Sequence, residues 1–381
     1  MLSTLARFLL AITNLGVRGA TWVLSRSPRD GVRRVLIHRV GRLGDGAAAW
    51  PALAAVRAQY PRAHIVLLTS TGETGSPGIA ELARELVDEV RSYRPSDFAD
   101  REAKLAFAKE LGRDGIDLWQ ALPQVKTSPG TELRNLLFAR LAGARRLRGF
   151  AVGNLWWLSK SLEKRLVQTT SEAQRLLRLT GQEDDRCTYD PTTAECARAR
   201  ELVPEAGVLA LAPGSARSAT RWAPDRFRAL ARRELERGGR VVVLGSAGER
   251  ELADAVCLGL DSERAVSLAG CVDPRETIAV LRRARALVTN DSGAAHLGGL
   301  ADLPVLVVQS ARNVVGSWLP RGDRVRVERE HVDCGPCWVD DCPLDHRCLE
   351  RIDAERVALA LDELAPPPPT SEPGPAMHAT G

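Results

Sequence analysis

Aromatic residues are scarce in this sequence: six Phe, three Tyr and eight Trp stand among 381 residues. Such a composition leaves little material for the stacking platforms on which proteins bind single-stranded nucleic acid. A large excess of one charge is also lacking, since 53 Lys and Arg face 48 Asp and Glu. This mild positive balance suits a small acidic ligand or an anionic membrane surface. We therefore expect no nucleic-acid partner.

No long uninterrupted apolar run is present. The first 25 residues are apolar, but Arg7, Asn14 and Arg18 break the span of ~20 residues that a transmembrane helix needs. A basic n-region and a small-residue cleavage site, which mark a signal peptide, are missing. Apolar residues recur at the spacing of one helical face: Leu2, Leu5, Leu9 and Ile12. Two interpretations remain: residues 1–34 rest on anionic lipid as an interfacial helix, or the helix packs on the protein itself.

Cysteine is too sparse for a small secreted disulfide scaffold, so we expect a cytoplasmic protein, peripheral on the membrane if the N-terminal helix contacts lipid. Four of the eight cysteines form the pattern C-x2-C-x4-C-x5-C. Thiolates favour tetrahedral zinc, which makes these four candidate ligands of a structural zinc ion. Two local disulfides or free thiols are the alternatives. The candidate ligands are Cys334, Cys337, Cys342 and Cys348.

Two standard phosphate-binding motifs are absent. Gly41, Gly44 and Gly46 give G-x-x-G-x-G, which is not the order of a dinucleotide fingerprint, and no P-loop motif exists. No D-x-D element follows a predicted strand as a Mg²⁺ site. We therefore expect catalysis, if any, to need no metal or other cofactor.

Apolar strands alternate with helical segments in two series. The first covers residues 32–195 after an amphipathic arm of residues 1–31, and the second covers residues 205–364. Near-continuous apolar strands indicate parallel sheets covered on both faces. The prediction is an α/β protein with two Rossmann-like, doubly wound domains that face a central cleft. The Pro-rich residues 365–381 read as a disordered tail.

Three loops stand where such sheets bind ligands, beyond the carboxyl ends of strands. In the first, residues 39–46, the loop alone favours a helix-capping role for Asp45. In the second, residues 213–222, two arginines suit a pyrophosphate or remain solvated. The third, residues 290–296, opens a helix whose N–H groups would point at an anion, although Asp291 or Ser292 could simply cap it. Taken alone, a histidine in its first turn favours a structural role.

Together these segments resemble the ADP-heptose:lipopolysaccharide heptosyltransferases, which are inverting glycosyltransferases of two facing Rossmann-like domains (the GT-B-like fold). The similarity covers most of residues 32–364. It is carried by GRLGDGAAAWPALAAVRAQYP, IDLWQAL, PGSARSATRWAPDRFRALA, VVVLGSAGERE, VTNDSGAAHLGGLADLPV and the Cys-rich CGPCWVDDCPLDHRCLERI. The D-S-G-x-x-H element and the G-D loop are its most specific parts.

The resemblance implies a role for each matching residue. Asp45 would be the general base that deprotonates the acceptor hydroxyl, which reverses the preference for capping. Arg221 would stand near the phosphates, and Glu249 would bind the ribose hydroxyls of the donor. The remaining donor-binding positions implied are Gly44, Ser215, Asp291, Ser292, Gly293 and His296.

The implied activity is the metal-independent transfer of a sugar, with heptose expected, from an ADP-sugar to a lipopolysaccharide-core or related glycan or glycolipid acceptor. Ser310 and Ala311 depart from the family, which has a glycine-rich turn carrying Thr at this point, so the sugar need not be heptose. Two alternatives remain: a nucleotide-sugar epimerase on the same fold, and a catalytically silent binding protein. Acceptor-independent change of the sugar would distinguish the epimerase.

Overall fold

The computed structural model describes residues 2–27, 31–70, 78–94, 98, 100–159, 170–183 and 188–367. Its N-terminal half contains one sheet, whose strands in chain order are Arg34–His38 (β1), His64–Ser70 (β2), Glu89–Tyr93 (β3), Leu118–Ala121 (β4) and Arg146–Arg148 (β5). They pair in parallel in the order β3-β2-β1-β4-β5. The central strands are buried along most of their length, as their apolar sequences predict.

Helices cover both faces of this sheet. They are Leu2–Leu24 (α1), Leu43–Gln59 (α2), Gly78–Ala83 (α3), Arg101–Gly112 (α4), Pro129–Leu141 (α5) and Glu172–Arg178 (α6). One core joins α1, α4 and α5 to the sheet through residues such as Trp119 and Leu136. The opposite core joins α2, α3 and α6 through residues such as Leu53 and Leu176. The sheet is thus doubly wound.

The C-terminal half repeats this plan. Its strands are Val208–Ala212 (β6), Val241–Val243 (β7), Ala265–Ser267 (β8), Ala284–Asn290 (β9), Val305–Gln309 (β10) and Val325–Arg329 (β11). The parallel order is β11-β10-β9-β6-β7-β8. Counted from β6, this is the order 3-2-1-4-5-6 of a dinucleotide-binding fold. Loops at the carboxyl ends of β6 and β9 therefore meet where the strand order reverses.

Helices also flank the second sheet. They are Thr193–Leu202 (α7), Pro224–Glu236 (α8), Arg250–Cys257 (α9), Pro274–Leu281 (α10), Gly293–Leu300 (α11), Arg347–Glu350 (α12) and Ala354–Leu364 (α13). A core on one face joins α8, α9 and α13. The core on the other face joins α7, α10 and α11 and also takes in Ala47 and Trp50 of α2. The two halves therefore share a hydrophobic interface. Two doubly wound parallel sheets confirm the predicted fold class.

Helix α1 satisfies one interpretation of the N-terminal arm and leaves the other open. Ala6 and Val17 are buried against the N-terminal half, so the helix does pack on the protein. The opposite side leaves large apolar side chains exposed: Leu5, Phe8, Ile12, Leu15, Trp22 and Val23. Across the residues described here, no helix combines the length and apolar character needed to cross a bilayer.

The structure corrects one predicted helix. The sequence pattern predicts a helix over residues 79–90, but α3 ends at Ala83 and the edge strand β3 begins at Glu89. The pattern also predicts a mostly helical stretch over residues 153–180; α6 lies within it, and residues 160–169 lie outside the described residues. Of the tail predicted to be disordered, residues 368–381 also lie outside the described residues.

Candidate functional site

A cavity of about 690 Å³ lies between the two halves. Its walls come from the loop after β1, the loop after β6, the start of α11 and the Cys-rich segment 334–348. Seven of the residues singled out in the sequence line it: Gly44, Asp45, Ser215, Asp291, Ser292, Gly293 and His296. The structure therefore brings together loops that are separated by up to about 250 residues in the chain.

Asp45 is the third residue of α2, and its side chain is 16% exposed at the cavity. One carboxylate oxygen accepts a hydrogen bond from the backbone N–H of Arg42, 2.9 Å away, so Asp45 does cap the helix, but from its third residue rather than from the N-cap position, which Arg42 holds. Burial raises the pKa of the Asp45 carboxyl, while the charge of Arg39 opposes that rise. A carboxylate with a raised pKa at a cavity wall is suited to accept a proton.

Arg39 is fully buried beneath Asp45, and the sequence reasoning did not single it out. Its Nη2 lies 3.2 Å from Oδ1 of Asp45, and its Nη1 donates to the carbonyl oxygens of Leu122 and Pro123. Glu172 lies 3.7 Å from the same guanidinium. The sequence signal that could have identified Arg39 is its position: it directly follows an apolar strand and begins a glycine-rich loop.

Glu172 extends this charged group into the N-terminal half. It is buried and accepts two hydrogen bonds of 2.7 Å from Arg175. Burial acts to raise the pKa of Glu172, but Arg175 and Arg39 outweigh it and hold that pKa below its usual value. Glu172 therefore remains ionised and fixes the guanidinium that contacts Asp45.

The N-terminus of α11 faces the same cavity from the C-terminal half. Ser292 precedes the helix, yet its side chain makes no capping hydrogen bond and instead lies 3.2 Å from the Thr289 hydroxyl. Gly293 packs directly on Gly44, because a Cβ added to Gly44 would lie 3.1 Å from the Cα of Gly293. The absence of side chains at both positions lets the aspartate loop approach the positive end of the helix.

His296 and Asp291 flank this helix start. Burial lowers the pKa of His296 to about 4, so the ring is neutral near pH 7, and it lies edge-on to Trp318 at 5.5 Å. Burial raises the pKa of Asp291 to about 6, against hydrogen bonds from Asn313 and Gln309. Both side chains are thus held by contacts within the protein.

Asn290 joins the two loops of the C-terminal half. It is fully buried at the end of β9, donates to the Pro213 carbonyl at 2.6 Å and accepts from the Trp222 backbone at 2.9 Å. Loop 213–222 and loop 290–296 are therefore tied by one side chain. From the sequence, this asparagine is only the first residue of its loop.

Positive charge at the cavity comes from Arg42, Lys126, Arg217 and Arg312. Arg217 and Arg312 both bind Asp340 of the Cys-rich segment, at 2.7 and 2.8 Å. Arg312 also lies 5.8 Å from the ring of Trp338, whose φ of 60° is left-handed and strained for a tryptophan. Arg217 is one of the two arginines that the sequence places in loop 213–222, whereas Arg312, Trp338 and Asp340 were not predicted. Their contacts show that the Cys-rich segment forms a wall of the site.

Arg221 and Glu249 do not line the cavity but contact the loop next to Ser215. Nε of Arg221 donates to the Ser215 carbonyl at 2.8 Å. Glu249 lies over Gly214, where a Cβ would come within 2.2 Å of its carboxylate, and it accepts from the Ser246 backbone at 2.9 Å. Both residues therefore lie behind the residues that line the cavity, and their contacts with a donor stay predictions.

The four clustered cysteines are free thiols, three partly buried and Cys348 buried. Among the residues that the structure describes, no three or more Cys, His, Asp or Glu side chains are arranged to hold a metal ion. The geometry thus gives zinc binding no support, and coordination by these cysteines stays a prediction that metal analysis of the purified protein would test.

Comparisons with known proteins agree with this architecture. The chain is 30% identical over 93 residues to "Lipopolysaccharide heptosyltransferase 2" of Salmonella typhimurium, which covers 24% of this chain and 27% of that protein. It is 29% identical over 186 residues to "Lipopolysaccharide heptosyltransferase 1" of Pseudomonas aeruginosa, which covers 44% and 50%. The chain thus matches half or less of the length of these curated relatives.

A solved structure extends the similarity in fold to nearly the whole chain. ADP-heptose LPS heptosyltransferase II of Escherichia coli matches with a TM-score of 0.61 at 18% identity, over 87% of this chain and 98% of that one. The family model described as "Glycosyltransferase family 9 (heptosyltransferase)" matches residues 163–347. This match spans just under half of the chain, and over these residues the chain is similar to glycosyltransferase family 9.

Proposed function

We propose that this protein is an inverting glycosyltransferase that moves a sugar, with heptose expected, from an ADP-sugar to a lipopolysaccharide-core or related glycolipid or glycan acceptor. We further propose that the reaction needs no catalytic metal. One observation carries the proposal: the mostly buried carboxylate of Asp45 and the N-terminus of α11 line the same cavity, and Gly44 and Gly293 are in contact there. A base and an anion site are thus adjacent.

In the proposed reaction, an acceptor hydroxyl oxygen attacks the anomeric carbon from the face opposite the leaving group. The hydroxyl proton passes to the Asp45 carboxylate, and the bond between the anomeric carbon and the phosphate oxygen breaks. The electron pair of that bond stays on the departing nucleoside diphosphate, so the configuration inverts. Because Arg39 and Glu172 are fixed beneath Asp45, the carboxylate needs little reorganisation before it accepts the proton.

Negative charge on the leaving diphosphate would be stabilised by fixed donors of the C-terminal half. The backbone N–H groups at the start of α11 are suited to this role, since the Ser292 side chain does not occupy them. Arg217 and Arg312 are held beside the cavity by Asp340 alone among its carboxylates. A diphosphate would compete with Asp340 for both guanidinium groups, and these charges support the proposal that no metal is needed.

The nucleoside end of the donor is assigned to the region next to Gly214. The Glu249 carboxylate lies there, and we propose that it accepts hydrogen bonds from the ribose hydroxyls. Arg221 would act by holding the Ser215 carbonyl rather than by direct contact with phosphate. The nature of the sugar stays open in this proposal, because Ser310 and Ala311 are buried outside the cavity lining.

We place the protein on the cytoplasmic face of a membrane, with contact through residues 1–34. Support comes from the apolar side of α1, where Phe8 is 60% and Trp22 is 80% exposed. Sedimentation with vesicles tests this point, and Trp22→Asp should reduce binding because it places a charge among the exposed apolar residues. Unchanged vesicle binding of that variant would exclude α1 as the contact.

The central experiment is a donor titration by calorimetry with ADP, UDP and GDP, followed by a transfer assay that detects the glycosylated acceptor by mass spectrometry. We expect ADP to bind and an ADP-sugar to be consumed only when acceptor is present, both before and after treatment with EDTA. Binding of UDP but not ADP would displace heptose as the sugar. Conversion of the sugar without acceptor would replace the transferase by an epimerase.

A further inference from the structure

A second cavity, of about 760 Å³, lies between α1 and the body of the protein. We call it the α1 groove. It is lined by one side of α1, by residues 151–154, by α6, and by Val314 and Ser317 of the C-terminal half. Val125 and Trp338 line both this groove and the cavity that contains Asp45. The groove is therefore a neighbour of the candidate catalytic site.

The lining of the α1 groove combines apolar side chains with positive charge. Phe8, Ile12 and Leu15 contribute from α1, and Val152 and Leu179 lie among the facing residues. Four arginines line it, whereas no Asp or Glu does so among the residues that the structure describes: Arg7, Arg18, Arg175 and Arg178. A purely apolar or purely polar ligand would leave one part of this lining unmatched.

Three of these arginines are available to a ligand. Arg175 is engaged by Glu172 and by the Pro123 carbonyl, at 2.7 and 2.6 Å. Arg7, Arg18 and Arg178 are exposed. Within the described part of the chain, the hydrogen bonds and ion pairs leave their guanidinium groups without a partner. An anionic ligand in the groove could therefore pair with them without displacing a carboxylate of the described chain.

The mouth of the groove is continuous with an apolar surface. Phe8, Ile12 and Leu15 line the groove and also belong to the exposed side of α1, where Leu15 is 71% exposed. Helix α5 packs beside α1 and exposes Leu133, Leu137 and Leu141 at i, i+4 and i+8. An occupant that enters here therefore passes from an apolar surface to arginines and then to the wall of the catalytic cavity.

We propose that the α1 groove binds an anionic amphiphile, with its apolar chain along α1 and its anionic group at Arg18 and Arg178. Given the proposed function, that amphiphile is the lipid-proximal part of the acceptor. The arrangement holds the acceptor while its tail remains in the bilayer. Its saccharide part then extends past Val125 and Trp338 toward Asp45.

The test is a calorimetric titration of the full-length protein with three probes below their micelle concentrations. Dodecyl phosphate carries a chain and an anion, inorganic phosphate the anion alone, and dodecyl maltoside the chain alone. We expect dodecyl phosphate to bind at least tenfold more tightly than either of the others. The double substitution Arg18→Ala/Arg178→Ala should weaken its binding at least tenfold, and Ala11→Trp should block it by filling the groove. Arg232→Ala, which removes an exposed arginine from α8, should change nothing.

Equal binding of dodecyl phosphate to wild type and to both groove variants would overturn the proposal, as would equal binding of dodecyl maltoside. Assembly of two chains through α1, seen as a dimer that excludes dodecyl phosphate, would overturn it as well. The same samples are titrated with ADP and assayed with a water-soluble glycan acceptor. If the groove variants bind ADP and use the water-soluble acceptor as wild type does, and their KM rises only for a lipid-linked acceptor, the result would support binding of the amphiphile in the α1 groove. Loss of ADP binding or of transfer in wild type would instead count against the proposed function.

Discussion

Asp45→Asn is expected to separate catalysis from stability. Asparagine has nearly the same shape and keeps an oxygen that can accept from Arg42 or Arg39, but it cannot take a proton from the acceptor. Loss of a general base typically lowers the rate by about 10²- to 10⁴-fold, which corresponds to roughly 3–5 kcal/mol in the barrier. We expect kcat/KM to fall within this range.

Asp45→Asn should lower kcat/KM without lowering the free energy of unfolding. Burial raises the pKa of Asp45 in the folded protein, so at pH 7 the ionised carboxylate is less stable there than in the unfolded chain. Removing the charge should therefore leave thermal stability unchanged or increase it. Arg39 keeps Glu172 at 3.7 Å and its two carbonyl partners, so it is not left without partners. Donor affinity should be unchanged or tighter, because a negative charge is removed from the cavity.

The assay measures turnover by release of ADP, donor affinity by calorimetry and stability by thermal melts, all at one pH. Asp340→Asn is the matched control, since this carboxylate also lines the cavity but is paired with Arg217 and Arg312. We expect that control to lose less than tenfold in turnover. Unchanged turnover of Asp45→Asn, or parallel losses of turnover and thermal stability, would refute the assignment of Asp45 as the base.

Three further predictions concern titration and packing. Burial raises the pKa of Glu132 to about 7, so the free energy of unfolding should fall by about 3 kcal/mol as the pH rises from about 4.5 to 7. In denaturant titrations, Glu132→Gln should remove this pH dependence. The same pH dependence in wild type and variant would refute the prediction. Asp291 has a pKa of about 6, so its ionisation between pH 5 and 7 should weaken the binding of ADP-glucose up to about tenfold. Asp291→Asn should bind ADP-glucose equally across that range. If the variant keeps the pH dependence, another group causes it. Gly44→Ala should lower turnover about tenfold or more, because the added Cβ would lie 3.1 Å from the Cα of Gly293. Gly16→Ala, at an exposed position with no neighbour within 4 Å, should leave turnover unchanged. Wild-type turnover of Gly44→Ala would show that the two loops need not touch.

The fold could be predicted from the sequence because buried parallel strands carry a strong local signal. HIVLLTS, residues 64–70, contains four consecutive apolar residues, and the structure has a strand with the predicted bounds His64–Ser70. Edge strands carry a weaker signal: β11 alternates valine with arginine and glutamate and was missed, and β3 was read as helix because Leu82, Leu86 and Val90 keep a helical spacing. Half-buried edge positions do not require a continuous apolar sequence.

The site was predictable to the extent that its residues lie in glycine loops after strands. Asp45 and Ser292 are found in this way, and both line the cavity. Glu172 and Asp340 could not be found, because they reach the site from segments more than 120 and 290 residues away from Asp45, and no local pattern marks them. Their importance comes from partners that only the tertiary structure supplies.

The single asparagine between loops 213–222 and 290–296 has a consequence for ligand capture. Because its amide bonds to both segments at once, we expect the proposed diphosphate site to have its final shape before any nucleotide arrives. Little conformational entropy would then be lost when the donor enters, and affinity for the nucleotide would depend mainly on contacts within the C-terminal half. We expect any rearrangement during turnover to occur at the seam with the other half, where the proposed acceptor would enter.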